Sequence, residues 1–512
     1  MSNKRAKYTI INISVIVVMQ ILNLLYSLIT KNLFLKEFSL SVYGVVDLFG
    51  SFFHSLMLLE LGFGTILIYN LYKPLACDDV DEIRKQLSVF KSIYFYLTLV
   101  IVAISFVVAP FLFDIFSISY NDVVLVYEVY FANIFNIILK YWTLNKISII
   151  SASQEKYIEN IAILFFDTIG FILRIFFVCY YKNLYLYIFA QLSLPSMAYI
   201  IETIWINRHY DVKDIKFASI KEIKNSGVLK QCKKYIYATI YSLVFVSMDN
   251  IIISSMLSTD AVAYVTNYNA LLMTGAQFVI MIMMSLRGIM ANYNHTEKSK
   301  EGFYGVFNII SSINYIVVAL MVIGFYTLMD DFISLWLGDN YVIISEIFFV
   351  LLMIRMIESI FEPIQSVFVI KGYIFQEKYP LIISALINLF LTIILIKKIG
   401  FIGAYIATII ALIIKWASKI YYVLRYTFNS YKNEILRKYA LYIVMIFIEM
   451  ALISKISISI VPAVSTIPLF LAKFFIVIIL FTIFNIPIIM LNKDTREYLL
   501  SMSNAIKIKL IK

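Results

Sequence analysis

Six positively charged side chains lie inside long apolar stretches of the sequence, where a charge is most costly. An ionised group at the centre of a lipid bilayer costs roughly 3 kcal/mol, so each one needs a partner or a role. Arg355 lies near the middle of its stretch, and Glu358 and Glu362 share its helical stripe. The six residues are Arg174, Arg287, Arg355, Lys415, Lys419 and Lys473.

Acidic side chains are also found deep in these stretches. Asp167 precedes Arg174 by seven residues on the same helical face, and Glu60, Asp249 and Glu449 are as far from the ends of their segments. Buried carboxylates can couple transport to protons or collect Na⁺. Structural hydrogen bonding to a neighbouring helix explains each of them equally well, so both interpretations stay open.

Two patterns are compatible with enzyme chemistry. Asp79 and Asp81 have the spacing of a metal-diphosphate motif, but they also fit the acidic start of a helix. His209 and Asp214 have the spacing of an acyl-transfer pair, but lie among lysines in an amphipathic connector. The longest polar stretch, at about 207–234, is too short for a catalytic domain. We therefore predict a protein that is not an enzyme.

The elements that position these residues are membrane helices. Hydrophobic residues make up 62% of the 512 positions, charged residues only 15%, and mean hydropathy is +0.88. We predict an all-α integral membrane protein with about fourteen transmembrane helices. The predicted spans are 8–30, 42–71, 92–113, 122–142, 158–180, 184–206, 235–257, 262–291, 304–329, 342–370, 379–396, 401–424, 439–460 and 466–491.

Positive charge sets the predicted orientation. Most of the 43 Lys and Arg residues fall in every second gap between spans, which places both termini in the cytoplasm. The outer loops then carry only a few, including Lys31, Lys36 and Lys182. We predict interfacial anchoring for Lys415, Lys419 and Lys473. The net charge of +11 follows from this topology and from contact with anionic lipid, with no need for nucleic acid.

A basic connector at 208–234 divides the predicted spans into six before it and eight after it. Comparison of the halves at an offset near 220 places the fifth span over the eleventh and the sixth over the twelfth. This favours a six-plus-six repeat with two appended spans. We predict an N-terminal lobe at 1–207, the cytoplasmic connector at 208–234, a C-terminal lobe at 235–425, and the last two helices with a cytoplasmic tail at 426–512.

Two segments carry a resemblance to a known family. Residues 60–76 read ELGFGTILIYNLYKPLA, with Tyr43-Gly44 before them and an acidic helix after them, and residues 249–254 read DNIIIS. The chain resembles the polysaccharide transporter, or Wzx-type oligosaccharide flippase, family of the multidrug/oligosaccharidyl-lipid/polysaccharide exporter superfamily. The topology match covers nearly the whole chain, whereas the motif match covers only these stretches.

The resemblance implies two six-helix lobes around a central cavity, two further helices, and alternating access. It also implies a cargo, the undecaprenyl-diphosphate-linked repeat unit of O-antigen or capsule, moved from the inner to the outer leaflet of the bacterial cytoplasmic membrane. A polysaccharide polymerase and glycosyltransferases are the implied partners. No cofactor is expected, and coupling to H⁺ or Na⁺ stays open.

For such a cargo we predict that Arg355, Arg174 and Arg287 form the path of the diphosphate. Arg355 has two interpretations: Glu358 holds it until the diphosphate competes, or the two form a structural ion pair. Arg174 and Arg287 are each compatible with anchoring to headgroups instead. For gating or ion coupling we predict a set of four acids. The four are Glu358, Asp249, Glu60 and Asp167.

Two other functions compete with the flippase. A cation-coupled exporter of drugs or small amphiphiles shares the architecture but predicts an acidic cavity, which three intramembrane arginines disfavour. An integral-membrane glycosyltransferase or polymerase needs a sizeable outer loop or an acidic outward site. The outer loops are short here, the largest being near residues 330–341, and offer no base with a partner.

Overall fold

A computed structural model describes residues 2–491 except 59–60, 78, 117–121, 154, 211, 229, 231–250, 254, 257–258 and 297–299. The described residues form helices and contain no strand, which confirms the predicted all-α membrane fold. Eleven helical segments within them are long and apolar enough to cross a bilayer. These eleven correspond to all predicted spans except 42–71, 235–257 and 342–370, and the span at 235–257 lies largely outside the described residues.

The chain divides into two compact units, residues 1–263 and 264–512. The predicted division at the 208–234 connector stays a prediction. Up to residue 225, the described helices of the first unit are α1 (Ser2–Glu37), α2 (Leu40–Leu58), α3 (Leu61–Ala76), α4 (Val80–Val108), α5 (Leu112–Phe116), α6 (Val123–Ala152), α7 (Tyr157–Phe176), α8 (Leu184–Leu192), α9 (Met197–His209) and α10 (Ile220–Asn225).

Helix α6 is central to the first unit and contacts α2, α3, α4, α8 and α9. Its buried Tyr130 packs edge-on against Phe49 of α2, and its hydroxyl donates to the carbonyl of Ser105 in α4. Helix α7 lies at the side and packs against α1, α8 and α9. Helix α7 therefore lies between α1 and α8, and it carries Asp167 and Arg174.

The second unit contains α11 (Thr259–Thr296, which begins just before it), α12 (Lys300–Leu337), α13 (Ser345–Ile360), α14 (Glu362–Ile370), α15 (Lys378–Ile399), α16 (Phe401–Tyr426), α17 (Lys432–Ile460) and α18 (Ile467–Leu491). Helix α12 is central and contacts α13, α14, α17 and α18. Helices α15 and α16 form a tight hairpin at Gly403, where a Cβ would overlap the backbone of Leu395. The two appended helices therefore pack into the second unit.

Two predicted spans are interrupted by proline. The span predicted at 184–206 breaks between α8 and α9 beside Pro195, and the span predicted at 342–370 breaks at Phe361, before Pro363. Proline lacks an N–H and its ring clashes with the preceding turn, so the helix restarts there. The prediction gave each of these segments as a membrane span; the segment at 184–209 is long and apolar enough to cross a bilayer, and the break within it is a feature that hydropathy does not register.

The connector packs against α4 and α6 within the first unit. Lys91 of α4 donates to the carbonyl of Ile215 at 2.7 Å, and Lys146 of α6 donates to the carbonyl of Lys213 at 3.4 Å. Ser219 and Glu222 form a capping box that starts α10. Hydrogen bonds from the Ser219 backbone and hydroxyl lower the pKa of the Glu222 carboxyl.

Within each unit, predicted cytoplasmic segments contact one another and predicted outer loops do the same. In the second unit Tyr304, the first residue of the predicted span 304–329, stacks at 3.8 Å on Tyr431 of a predicted cytoplasmic segment. In the first unit Lys182 pairs with Glu37 at 2.8 Å, and both belong to predicted outer loops. Both contacts agree with the predicted alternation of the loops, and the assignment of one end to the cytoplasm stays a prediction.

Candidate functional site

The first unit contains a polar cavity of about 180 Å³, which we call the Arg174 cavity. Its walls come from α1, α2, α7 and α8. The lining combines two cations, one carboxylate, and hydroxyl and amide groups. The lining residues are Asn23, Tyr26, Ser27, Thr30, Lys31, Tyr43, Asp167, Arg174, Tyr187, Gln191 and Pro195.

Arg174 reaches this cavity because α7 runs unusually close to α8. A Cβ at Gly170 would lie 3.0 Å from the carbonyl oxygen of Ala190, so only glycine fits without displacement. One turn later, the Arg174 Nε donates to the Gly170 carbonyl at 3.2 Å. The hydroxyl of Tyr187 on α8 lies close to the guanidinium. The α7–α8 contact therefore fixes the position of the charge.

Lys31 is the second cation of the Arg174 cavity, and its predicted place in an outer loop is wrong. It was assigned to an outer loop, but α1 continues to Glu37 and leaves Lys31 only 3% exposed. Its ammonium lies 3.8 Å from the centroid of the Tyr43 ring. The span predicted from hydropathy stops at residue 30 because Lys31 is charged. Hydropathy carries no information on the aromatic side chains that cover Lys31 in the folded protein.

The charge balance of the Arg174 cavity is positive. Asp167 is its one lining carboxylate, and it lies beside Asn23. Among the described residues, no carboxylate forms an ion pair within 4.0 Å of Arg174 or Lys31, although Asp167 and Asp47 attract them at longer range. The structure thus brings Asp167 and Arg174 together, as their spacing indicated, and adds Lys31. Such a cavity can bind an anion.

Cations of the second unit are arranged differently. Arg355 of α13 pairs with Glu358 at 2.6 Å and donates to the Asn269 side chain of α11 at 2.8 Å. The predicted pair therefore forms. Whether it is a gate or a structural lock stays a prediction.

Arg287 is also paired. On α11, it lies 3.5 Å from Glu362 and donates to the Ser366 hydroxyl at 3.2 Å. Both partners belong to α14, which begins after the break at Phe361. The ion pair therefore ties α11 to α14, and the predicted contact of Arg287 with a diphosphate remains a prediction.

Two lysines assigned to the membrane interface are buried in ion pairs. Lys419 of α16 lies 2.7 Å from Glu377 and donates to Gln365 at 2.5 Å. Lys473 of α18 lies 2.6 Å from Asp331 of α12. The prediction of headgroup anchoring was wrong for both, because each partner lies on a different helix and is distant in sequence. Lys415 lies near the Trp416 ring, and its anchoring stays a prediction.

The acidic side chains predicted to lie deep in the membrane spans differ in where the structure places them. Glu60 and Asp249 lie outside the described residues. Glu449 accepts hydrogen bonds from Tyr315 and Asn485, both at 2.9 Å, and so joins α12, α17 and α18. Glu202 of α9 is a buried acid that was not predicted: it is 1% exposed, and its carboxyl oxygens have no hydrogen-bond partner among the described residues. Its place near the end of a span gave no signal of burial.

No protein-family model and no curated protein sequence matches this chain. Among solved structures, the lipid II flippase MurJ in an inward closed conformation matches at TM-score 0.62 and 16% identity, over 95% of this chain and 99% of that one. An inward-facing multidrug resistance MATE family transporter of the MOP superfamily matches at 0.55 and 13%, over 78% and 94%.

A further match is a MOP superfamily transporter from Pyrococcus furiosus, at TM-score 0.53 and 12% identity, over 81% of this chain and 95% of that one; its description reports a binding pocket of reverse polarity. At these identities the likeness shows the fold alone. This chain is thus a multi-pass membrane protein with the fold of MOP superfamily transporters.

Proposed function

We propose that this chain is a non-enzymatic flippase. It moves diphosphate-linked oligosaccharide lipids from the inner to the outer leaflet by alternating access, for assembly of a bacterial surface polysaccharide such as O-antigen or capsule. The observation that carries the proposal is that Arg174 and Lys31 line one polar cavity with no described carboxylate at ion-pair distance. The likeness of fold to the lipid II flippase MurJ supports it.

The Arg174 cavity offers what the proposed cargo requires. A diphosphate needs cations, and each attraction at about 4 Å is worth between about 1 kcal/mol in water and about 4 kcal/mol at an effective dielectric of 20. Sugar hydroxyls need hydrogen-bonding groups, which Asn23, Ser27 and Gln191 supply. Its volume of about 180 Å³ suits the diphosphate and adjoining atoms and not a whole oligosaccharide.

We further propose that Arg355 and Arg287 complete the anion path when their carboxylate partners release them. Glu358 holds Arg355 at 2.6 Å and Glu362 lies 3.5 Å from Arg287, so an arriving diphosphate has to compete with both. Glu358 and Asp167 are candidates for gating or coupling to H⁺ or Na⁺. Glu60 and Asp249 are retained as candidates on the sequence argument alone.

A cation-coupled exporter of drugs or small amphiphiles is the second candidate, because a multidrug transporter shares the fold. Buried Lys31 and Arg174 disfavour cationic cargo in the first unit, since like charges repel in a medium of low dielectric. The positive charge of the Arg174 cavity therefore supports the flippase over the exporter.

The direct test measures lipid-linked oligosaccharide in cells depleted of this protein. We expect complete repeat units to accumulate on the cytoplasmic face while the surface polymer disappears, and a plasmid copy to reverse both effects. Incomplete units would assign the protein to synthesis, and units already on the outer face would assign it to a later step. Unchanged polymer with increased drug sensitivity would favour the exporter.

A further inference from the structure

The connector at 208–234 has an apolar edge beside a membrane helix. From 212 to 218 every third residue is buried, and the side chains between them are exposed. Among these, the Phe217 ring is 53% exposed and packs edge-on against Phe95 of α4 at 5.3 Å. Ile220 is 61% exposed and is the first residue of α10, which also contacts α4. Two apolar side chains of the connector therefore lie uncovered beside α4.

The apolar edge of the connector continues a lipid-facing surface. The segment that contains α4 is long and apolar enough to cross a bilayer, and its predicted span begins at 92. Along this span α4 carries a stripe of exposed apolar side chains, which includes Phe95, Leu99, Val100, Ile104 and Val107. Because Phe217 contacts the first of these, at the start of the span, the connector lies at the depth of the lipid headgroups. Amphipathic segments at this depth bury one apolar face among the headgroups and first methylenes.

Hydrogen bonds to α4 hold the connector in this position. The Ser88 hydroxyl donates to the carbonyl of Lys216 at 2.8 Å, and the Ser92 hydroxyl oxygen accepts from the backbone N–H of Ala218 at 2.8 Å. Together with the bond to the Ile215 carbonyl described above, they fix the backbone on both sides of Phe217. The exposed side chains of the connector are therefore presented at a fixed height on α4.

Positive charge surrounds this apolar edge. Residues 213–224 contain four lysines and two acids, a net charge of +2, and the Lys91 ammonium lies 4.4 Å from the centroid of the Phe217 ring. The carboxylate of Glu222 accepts hydrogen bonds from the Ser219 backbone and hydroxyl, so the capping box engages it. Among the described residues, no carboxylate lies within 4.0 Å of the ammonium groups of the four exposed lysines. The four are Lys213, Lys216, Lys221 and Lys224.

From the apolar edge and the unpaired lysines we infer that the connector binds anionic phospholipid of the leaflet beside it, the predicted cytoplasmic leaflet. Phe217 and Ile220 lie among the first methylenes of the lipid, and Lys216 and Lys221, their neighbours in the sequence, contact the phosphate. Each lysine close to an anionic membrane surface strengthens binding by about fivefold. This inference does not rest on the proposed flippase activity, because it concerns the connector and not the Arg174 cavity.

The test samples the lipid beside the connector in the full-length protein. Ile220→Cys is introduced together with Cys77→Ser, Cys179→Ser and Cys232→Ser, and the thiol at 220 is labelled with a benzophenone. The protein is placed in nanodiscs with equal amounts of phosphatidylglycerol and phosphatidylcholine and irradiated, and the lipid adducts are counted by mass spectrometry. We expect phosphatidylglycerol adducts to exceed phosphatidylcholine adducts by about fivefold or more. Lys216→Gln combined with Lys221→Gln should return the ratio most of the way to one.

Two controls are matched to the label and to the charge. The same label at Val107→Cys samples lipid along α4 away from the connector, because Val107 is 69% exposed, and should give a ratio near one. Lys397→Gln combined with Lys398→Gln removes two exposed lysines from the end of α15 and should leave the ratio at 220 unchanged.

Three results would overturn the inference. An absence of lipid adducts at 220 would show that the connector is a solvated surface. A ratio at 220 equal to that at 107 would show apolar contact without selection of anionic lipid. An equal effect of the two double lysine substitutions, or no effect of either, would remove Lys216 and Lys221 from the contact. Thermal unfolding of each variant confirms that it is folded.

Discussion

Replacing Arg174 with Gln removes one positive charge from the Arg174 cavity while keeping much of the side-chain stem and a hydrogen-bonding end. The hydrogen bond from the Arg174 Nε to Gly170 is lost, but Gly170 still permits the close contact of α7 with α8. The fold should therefore survive. Since the cation has no ion-pair partner among the described carboxylates, its removal leaves no newly unpaired acid at contact distance.

The expected loss of affinity follows from the charge and its surroundings. A single negative charge at about 4 Å gains about 1 kcal/mol from Arg174 in water and about 4 kcal/mol at an effective dielectric of 20. The cavity is polar but walled by membrane helices, so the attraction energy between Arg174 and the anion lies between these two values. Affinity for a diphosphate should fall by between about 5-fold and about 700-fold, and affinity for a monophosphate by less.

The assay is titration of the purified protein with a short-chain polyprenyl diphosphate, with the corresponding monophosphate in parallel. Arg425→Gln is the control, because Arg425 is an exposed arginine of α16 and undergoes the same substitution. Its affinity should be unchanged. If Arg174→Gln binds the diphosphate as tightly as the native protein, or weakens both ligands equally, the cavity does not hold the diphosphate and the reasoning is refuted.

Three further outcomes are expected. Gly403→Ala should destabilise the protein strongly in thermal unfolding, because the added Cβ overlaps backbone, whereas Gly324→Ala, with open space around it, should stabilise it by up to about 1 kcal/mol; equal effects would contradict the helix contact. Lys419→Met should cost about 3–5 kcal/mol by leaving a buried carboxylate unpaired. In contrast, Lys85→Met, in a pair whose lysine is 73% exposed, should cost less than about 1 kcal/mol, and a similar cost for both lysines would reject the buried pair. Arg355→Ala should abolish transport in cells at an unchanged amount of protein in the membrane, and normal transport would remove it from the anion path.

Relations within one helix were predictable because the helical repeat fixes them. The spacing of Arg355 and Glu358 predicted a pair, and the structure contains it at 2.6 Å. Asp167 and Arg174 share a face of α7 and line the same cavity. The positions of most spans follow in the same way from hydropathy, since a bilayer admits only long apolar helices.

Relations between helices were not predictable. Arg287 pairs with Glu362, and Lys473 pairs with Asp331, although the members of each pair lie far apart in the sequence. Nothing in the local sequence marks one lysine as a headgroup anchor and another as half of a buried pair. Both types consist of a cation in an apolar helix, and the difference lies in the neighbouring helix.

By itself, the sequence determined that this protein lies in a lipid bilayer. It also determined the positions of most of the membrane spans and the periodic placement of charge along each helix. Tertiary structure decided which of those charges are neutralised. It buries Lys31 beside Tyr43 and Arg174 in one cavity, and it pairs Arg287, Lys419 and Lys473 with acids on other helices. The physical reason is that Coulomb attraction depends on distance in space, which helix packing sets, and not on separation along the chain.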